Sequence, residues 1–185
     1  LYIDQNENIY ILDFDNHRVV KWEPGATDGI LIAGSEQAQS GTELNELHSP
    51  IDFHVTNTGQ VYVLDHNNFR VLKFTEGNND GELVLGTGVS GSALNQISYA
   101  YAIDLDESET LYIADEHNHR VVKQELGKSP VVIAGGNGWG AELNQLKFPT
   151  GFVLDGKDGV YVYEREGQRI MFWSKGASQG VDVTG

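Results

Sequence analysis

The sequence predicts an all-β protein built from four repeated units, each a sheet of four short antiparallel strands. Three observations carry that prediction. First, four segments align without gaps: Ile9–Asp13, Val61–Asp65, Leu111–Asp115 and Val160–Glu164. Each ends on a carboxylate, and an arginine follows at one fixed offset: Arg18, Arg70, Arg120 and Arg169. These arginines recur roughly every 50 residues, a period that marks a repeat architecture. Second, an apolar stretch ending in glycine closes each unit: Ile32-Ala-Gly34, Val84-Leu-Gly86, Ile133-Ala-Gly135 and Val183-Thr-Gly185. Third, the units are joined by Leu44-Asn-Glu-Leu47, Leu94-Asn-Gln-Ile97 and Leu143-Asn-Gln-Leu146, with Pro50, Ala100 and Pro149 shortly after.

Within a unit the apolar segments have strand length and are separated by turn residues. In the second unit they fall near Ile51–Val55, Val61–Leu64, Arg70–Phe74 and Glu82–Gly86. Asn57-Thr-Gly59, His66-Asn-Asn68 and Gly77-Asn-Asn-Asp-Gly81 lie between them and carry turn chemistry. The second strand is apolar almost throughout, the pattern of a sheet covered on both faces. Four antiparallel strands per unit of this length describe a β-propeller blade. The expected blades span about 1–34, 51–86, 101–135 and 150–185, within one repeat region covering 1–185.

Composition bounds the functions. With 12 basic and 27 acidic residues the formal charge is −15. Such a surface repels phosphate backbones, which disfavours nucleic acid and anionic membranes. It leaves cationic partners, calcium and neutral glycans open. The absence of cysteine excludes disulfides, thiolate metal sites and a cysteine nucleophile. No apolar run reaches membrane-spanning length. No nucleophile elbow, phosphate-binding glycine loop or zinc-protease helix motif is present.

The repeated unit resembles the NHL repeat. Tyr10-Ile-Leu-Asp-Phe-Asp-Asn-His-Arg-Val-Val-Lys-Trp22 and Tyr112-Ile-Ala-Asp-Glu-His-Asn-His-Arg-Val-Val-Lys-Gln124 carry the resemblance. The second unit departs at Phe69, and the fourth at Glu164 and Gly167-Gln168. The resemblance implies NHL-type propeller blades and rings of five or six. Both ends of this chain fall on repeat boundaries, so it is expected to be part of a longer ring. Further repeats or other chains would complete that ring. The resemblance also points outside the cytoplasm, where such arrays are familiar.

Candidate functional residues divide by whether they obey the repeat. Asp13/Arg18, Asp65/Arg70, Asp115/Arg120 and Glu164/Arg169 recur at one place and read as structural charge pairs across a hairpin. His117-x-His119 has metal-like spacing but sits in the repeated turn. Asp4, Asp106 and Asp155 align with Thr56 at the end of the first strand. A ring of carboxylates there would suit Ca2+, although aspartate also initiates turns; no cofactor is firmly implied. His54 and Asp104 align on the first strand, which lines the central channel in propellers. Trp139 and Asn137 lie in the connector Gly135-Gly-Asn-Gly-Trp-Gly140, where an exposed aromatic suits a protein or glycan contact. The leading expectation is a non-catalytic binding or scaffold module. The alternative, implied by the resemblance, is a metal-dependent lyase or lactone hydrolase with its site at the channel. RNA binding ranks last because of the charge.

Overall fold

Alternating apolar residues bounded by glycine, asparagine and aspartate turns form strands throughout the computed structural model, which describes residues 1–184. The closing glycine of the fourth repeat, Gly185, lies outside the described residues. The first sheet holds β1 (Tyr2–Ile3), β2 (Ile9–Asp13), β3 (Arg18–Trp22) and β4 (Ile30–Gly34). The second holds β5 (Asp52–Val55), β6 (Val61–Asp65), β7 (Arg70–Phe74) and β8 (Glu82–Gly86). The third holds β9 (Ala102–Leu105), β10 (Leu111–Asp115), β11 (Arg120–Gln124) and β12 (Val131–Gly135). The fourth holds β13 (Pro149–Leu154), β14 (Val160–Glu164), β15 (Ile170–Trp173) and β16 (Val181–Asp182). Every sheet is an antiparallel meander in chain order. The chain forms two compact units, Leu1–Val89 and Ser90–Gly185, with two sheets in each.

In the first unit, Tyr10, Val19, Ile32 and Ala33 of the first sheet share a core with Val55, Val61, Val63, Leu72 and Phe74 of the second. Leu47 of the connector is fully buried in that core. The second unit repeats the plan. Val121 and Ala134 share a core with Val160, Val162, Met171 and Trp173, and Leu146 takes the connector position. A buried leucine of this kind contributes about 1.5–3 kcal/mol, which explains why the Leu-Asn-x-Leu marker recurs.

The expectation that every second strand is covered on both faces is met in β6 and β10, whose five residues are all buried. It fails in β14, where Val160, Val162 and Glu164 are buried while Tyr161 and Tyr163 are exposed. It fails also in β2, where Ile9 and Ile11 are exposed on either side of buried Tyr10. Hydropathy cannot separate a covered face from an uncovered one when both carry aliphatic or aromatic side chains.

The second and third strands are joined by one repeated turn. In the first three sheets it is a 3-10 turn at Phe14–Asn16, His66–Asn68 and Glu116–Asn118. His17, Phe69 and His119 follow it in the left-handed conformation. Opposite the arginine that comes next sits the repeat's closing glycine. A Cβ at Gly34, Gly86 or Gly135 would collide with the backbone oxygen of His17, Phe69 or His119, and all three glycines have positive φ. The apolar-then-glycine marker therefore records a close backbone approach that only glycine permits.

The strongest polar feature lies beside this turn. Arg70 Nε donates to Asp65 at 2.7 Å. Its Nη atoms donate to the connector carbonyls of Thr42 (2.6 Å), Glu43 (2.8 Å) and Glu46 (3.0 Å). Asp65 in turn accepts the backbone N–H of His48 at 2.6 Å. Arg120 repeats the pattern with Asp115 and the carbonyls of Ser92, Ala93 and Gln96, while Asp115 accepts Ser98 N–H. Arg169 does so with Glu164 and the carbonyls of Ala141, Glu142 and Gln145, while Glu164 accepts Lys147 N–H. In all three sites the carbonyls lie 28, 27 and 24 residues before the arginine. Each arginine thus staples the connector that precedes its own sheet. Burial pushes the Asp65 and Asp115 carboxyls up, against the amide, asparagine and guanidinium donors that pull them down. A pair this buried is costly to break from one side, because the remaining charge is stranded.

The first sheet differs. Arg18 Nε donates to Asp13 at 3.0 Å, but the two side chains stay 32% and 28% exposed, against 9% and 0% for Arg70 and Asp65. Arg70→Gln should therefore lower unfolding free energy by about 3–5 kcal/mol, and Arg18→Gln by no more than about 1 kcal/mol. Urea denaturation of both variants measures the contrast, and equal losses would contradict it.

Candidate binding site

The site expected from sequence begins at Trp139, in the connector between β12 and β13. That connector follows a repeated design. Gln145 Oε1 accepts Glu142 N–H at 3.3 Å, as Gln96 Oε1 does for Ala93 and Glu46 Oε2 for Glu43. A Cβ on Gly41, Gly91 or Gly140 would strike that Glu or Gln side chain. The equivalent glycines bring Ser40, Ser90 and Trp139 into correspondence, and Ser40 and Trp139 make the same bridge, to Leu47 and Leu146 respectively. Tryptophan thus replaces serine at one fixed point of the scaffold.

Trp139 is 54% exposed, yet it is framed on several sides. Its bridge to Leu146 anchors the backbone. Asn137 Nδ2 donates to Asn144 O at 2.8 Å and to Gly135 O at 3.3 Å, and Gln145 Nε2 donates to Asn137 O at 3.0 Å. Asn137 therefore shapes the loop from within. Lys147 Nζ lies 4.9 Å from the centre of the Trp139 ring, within cation–π range. Trp139 Nε1 reaches Glu166 at 3.4 Å.

Next to this loop the repeat symmetry breaks again. The position after the repeated carboxylate is Phe14, His66, Glu116 and Arg165 in the four repeats. In the second unit of the structure, Arg165 pairs with Glu116 at 2.8 Å, and Glu116 is almost fully buried. The Arg165 guanidinium also lies 5.1 Å from the Phe148 ring centre. Phe148 meets His119 edge-on at 4.8 Å, and His117 lies 4.7 Å from Tyr99. Sequence reading found Trp139 and Asn137 but not Lys147, Phe148, Tyr99 or Arg165. The changing residue at the position of Glu116 and Arg165 was the available signal.

The other expected residues stand elsewhere. His54 and Asp104 occupy one register position, opposite Tyr62 on β6 and Tyr112 on β10. They belong to different units of the chain. Asp104 Oδ1 accepts the N–H of Leu105 at 2.9 Å. Asp4, Asp106 and Asp155 each close a turn: Asp4 accepts Asn6 and Asn8 N–H, Asp106 accepts Ser108 and Thr110 N–H, and Asp155 accepts Lys157 and Gly159 N–H. Thr56 does the same for Gln60. Among the described residues no group of three or more His, Asp or Glu side chains is placed to hold a metal ion, and no helix is long and apolar enough to cross a membrane. His117 and His119 share the repeated turn, where His119 Nδ1 accepts Phe148 N–H at 3.4 Å and His17 Nδ1 accepts Ser49 N–H at 3.2 Å.

Comparison with known proteins places these features in a family context. The NHL repeat model matches residues 47–74. That segment is an NHL repeat. It runs from the buried connector leucine through Arg70 to the end of β7, so the match covers the Asp65/Arg70 hairpin and the His48 amide but not the carbonyls of Thr42, Glu43 and Glu46. Mouse (Mus musculus) peptidyl-glycine alpha-amidating monooxygenase is 29% identical over 128 residues, covering 65% of this chain and 13% of that protein. Virginiamycin B lyase from Staphylococcus aureus superposes with a TM-score of 0.63 at 12% identity, covering 98% of this chain and 53% of that one. A gluconolactonase from Xanthomonas campestris superposes with a TM-score of 0.65 at 13% identity, covering 96% and 57%. The chain therefore spans about an eighth of the curated relative and about half of these structures. The structural neighbours are β-propeller proteins and share the fold.

Burial, followed by the neighbouring His117 charge, holds the His119 imidazole below its ordinary value of 6.5. The folded state thus favours the neutral ring that accepts Phe148 N–H. This contribution is complete above about pH 6.5 and is lost as pH falls below it, because the unfolded chain protonates first. The melting temperature should therefore fall from pH 7 to pH 5 by less in His119→Gln than in the parent. Glutamine already fills the equivalent left-handed position as Gln168. Parallel pH profiles of the two would contradict this role for His119.

Proposed function

We propose that the chain is a binding module whose contact surface is the connector carrying Trp139, with a protein or glycan as partner. The observation that supports this best is an exposed tryptophan held in a fixed frame at a position where the other connectors carry serine. Ordering a loop on binding costs free energy, and a loop already pinned by Asn137, Gln145 and the Leu146 bridge avoids much of that cost. A half-exposed indole offers a large apolar face with a polar edge, the chemistry of binding hot spots and of sugar stacking. The neighbouring Lys147 supplies a donor beside the ring and Glu166 an acceptor at its Nε1. A donor and an acceptor on either side of one indole suit a ligand bearing hydroxyl groups.

Intrinsic fluorescence titration against a panel of neutral and acidic oligosaccharides and acidic peptides tests the reading. A ligand of this surface should shift the Trp139 emission. Trp139→Ala should weaken its binding by tenfold or more, about 1.4 kcal/mol or above, with the melting temperature unchanged. Asn137→Ala should weaken it less. A ligand whose affinity ignores Trp139 would remove this surface from consideration.

A further inference from the structure

The side chain that frames the Trp139 loop is itself chemically labile. Asn137 and Gly138 form the only Asn-Gly pair in the sequence. A backbone nitrogen can attack the side-chain carbonyl of the asparagine before it, and glycine brings no Cβ to block the approach. The structure favours that attack in three ways. Asn137 and Gly138 are both exposed, so water reaches the pair. Gly136 and Gly138 flank Asn137 with φ of 79° each, and a Cβ at Gly138 would meet no atom within 4 Å. Among the described residues the Gly138 N–H donates no hydrogen bond, which leaves its nitrogen available.

Gln145 adds to this. Its Nε2 donates to Asn137 O at 3.0 Å. That oxygen belongs to the same peptide group as the Gly138 nitrogen. A donor on the oxygen polarises the group and makes the Gly138 proton easier to remove. The opposing restraint is the pair of bonds from Asn137 Nδ2 to Asn144 O and Gly135 O. Both lie in an exposed loop, where local opening costs little. The other connectors lack this weak point. The first uses Ser35 Oγ, 2.9 Å from Gln37, and the second pairs Ser90 Oγ with Ser98 Oγ at 2.9 Å. A hydroxyl has no amide bond to lose.

We propose that Asn137 is a self-modifying site whose deamidation releases the Trp139 loop. The Gly138 nitrogen bonds to Cγ of Asn137, the Cγ–Nδ2 bond breaks, and ammonia leaves with the proton that Gly138 gives up. The resulting succinimide takes up one water and opens to aspartate or isoaspartate. Either product has lost both Nδ2 donors, and an ionised carboxylate only accepts hydrogen bonds. It then faces the carbonyls of Asn144 and Gly135, which repel it. Isoaspartate also lengthens the backbone by a methylene. The change is one-way, so the loop loosens with the age of the molecule. Its consequence for a ligand rests on the binding reading above: a loosened Trp139 must be ordered again on binding, at a cost in free energy.

Incubation of the parent chain in mildly alkaline buffer, followed by peptide mass mapping, tests the chemistry. Asn137 should convert about tenfold or more faster than Asn57, which is also exposed but precedes Thr58, where a Cβ obstructs the attack. Hydrogen exchange tests the release. In Asn137→Asp the amides of Trp139 and Leu146 should exchange about tenfold or more faster than in the parent. Those of the equivalent Ser40–Leu47 bridge should stay as they are, which shows that the fold is intact. Neither readout uses a ligand, so failure here is distinct from failure of the binding reading. Persistence of Asn137 while Asn57 converts would overturn the modification, and unchanged exchange in Asn137→Asp would overturn the release.

Discussion

A guanidinium buried beside a carboxylate is stable in this protein because it is never merely an ion pair. Arg70 and Arg120 each place donors on one carboxylate and three backbone carbonyls, and the carboxylate takes a backbone N–H in return. Desolvating two charges costs several kcal/mol, and this cost is offset only where most donor and acceptor positions are filled. The connector, which has no regular secondary structure of its own, supplies those partners. Its carbonyls are satisfied by the arginine, and its leucine is set into the core of the same unit. The turn, the strand ends, the closing glycine and the connector all converge on this one network.

Much of this was legible in the sequence because it repeats. Strand positions in the second unit agree with the structure to within a residue, since apolar runs and Gly/Asn/Asp turns recur in register. The Asp/Arg pairs were recognised as scaffold, but only as charges facing across a hairpin. Their larger role was hidden, because a sequence marks which side chain donates but not which backbone carbonyl accepts. The aspartates ending the first strands illustrate a similar limit. Asp4, Asp106 and Asp155 align as a carboxylate set, yet in each the Oδ1 atom accepts the amides of its own turn.

The binding surface was half legible for the opposite reason. Trp139 announced itself by composition, in a run of glycines. Lys147, Phe148 and Arg165 did not, because each occupies an ordinary position of the repeat and matters only through what it touches. What joins them is departure from symmetry at adjacent points: tryptophan for serine in the connector, arginine after the carboxylate in the turn. A scaffold that holds its repeated positions by buried hydrogen bonds leaves the intervening positions free to vary without loss of stability.

The constant spacing of the staple has a bearing on where this architecture can change length. From each connector carbonyl to its arginine the count is the same in all three cases, whereas the arginines themselves are unevenly spaced. All variation in length is therefore confined to the stretch after each arginine and before the next connector, which holds the turn after the third strand and the loop after the closing glycine. Insertions and deletions there leave the network untouched. One residue added within 42–46 would instead break the match between the connector carbonyls and the donors of Arg70. The unit of constant length thus begins in a connector and ends in a hairpin, out of phase with the sheets the eye would divide it by.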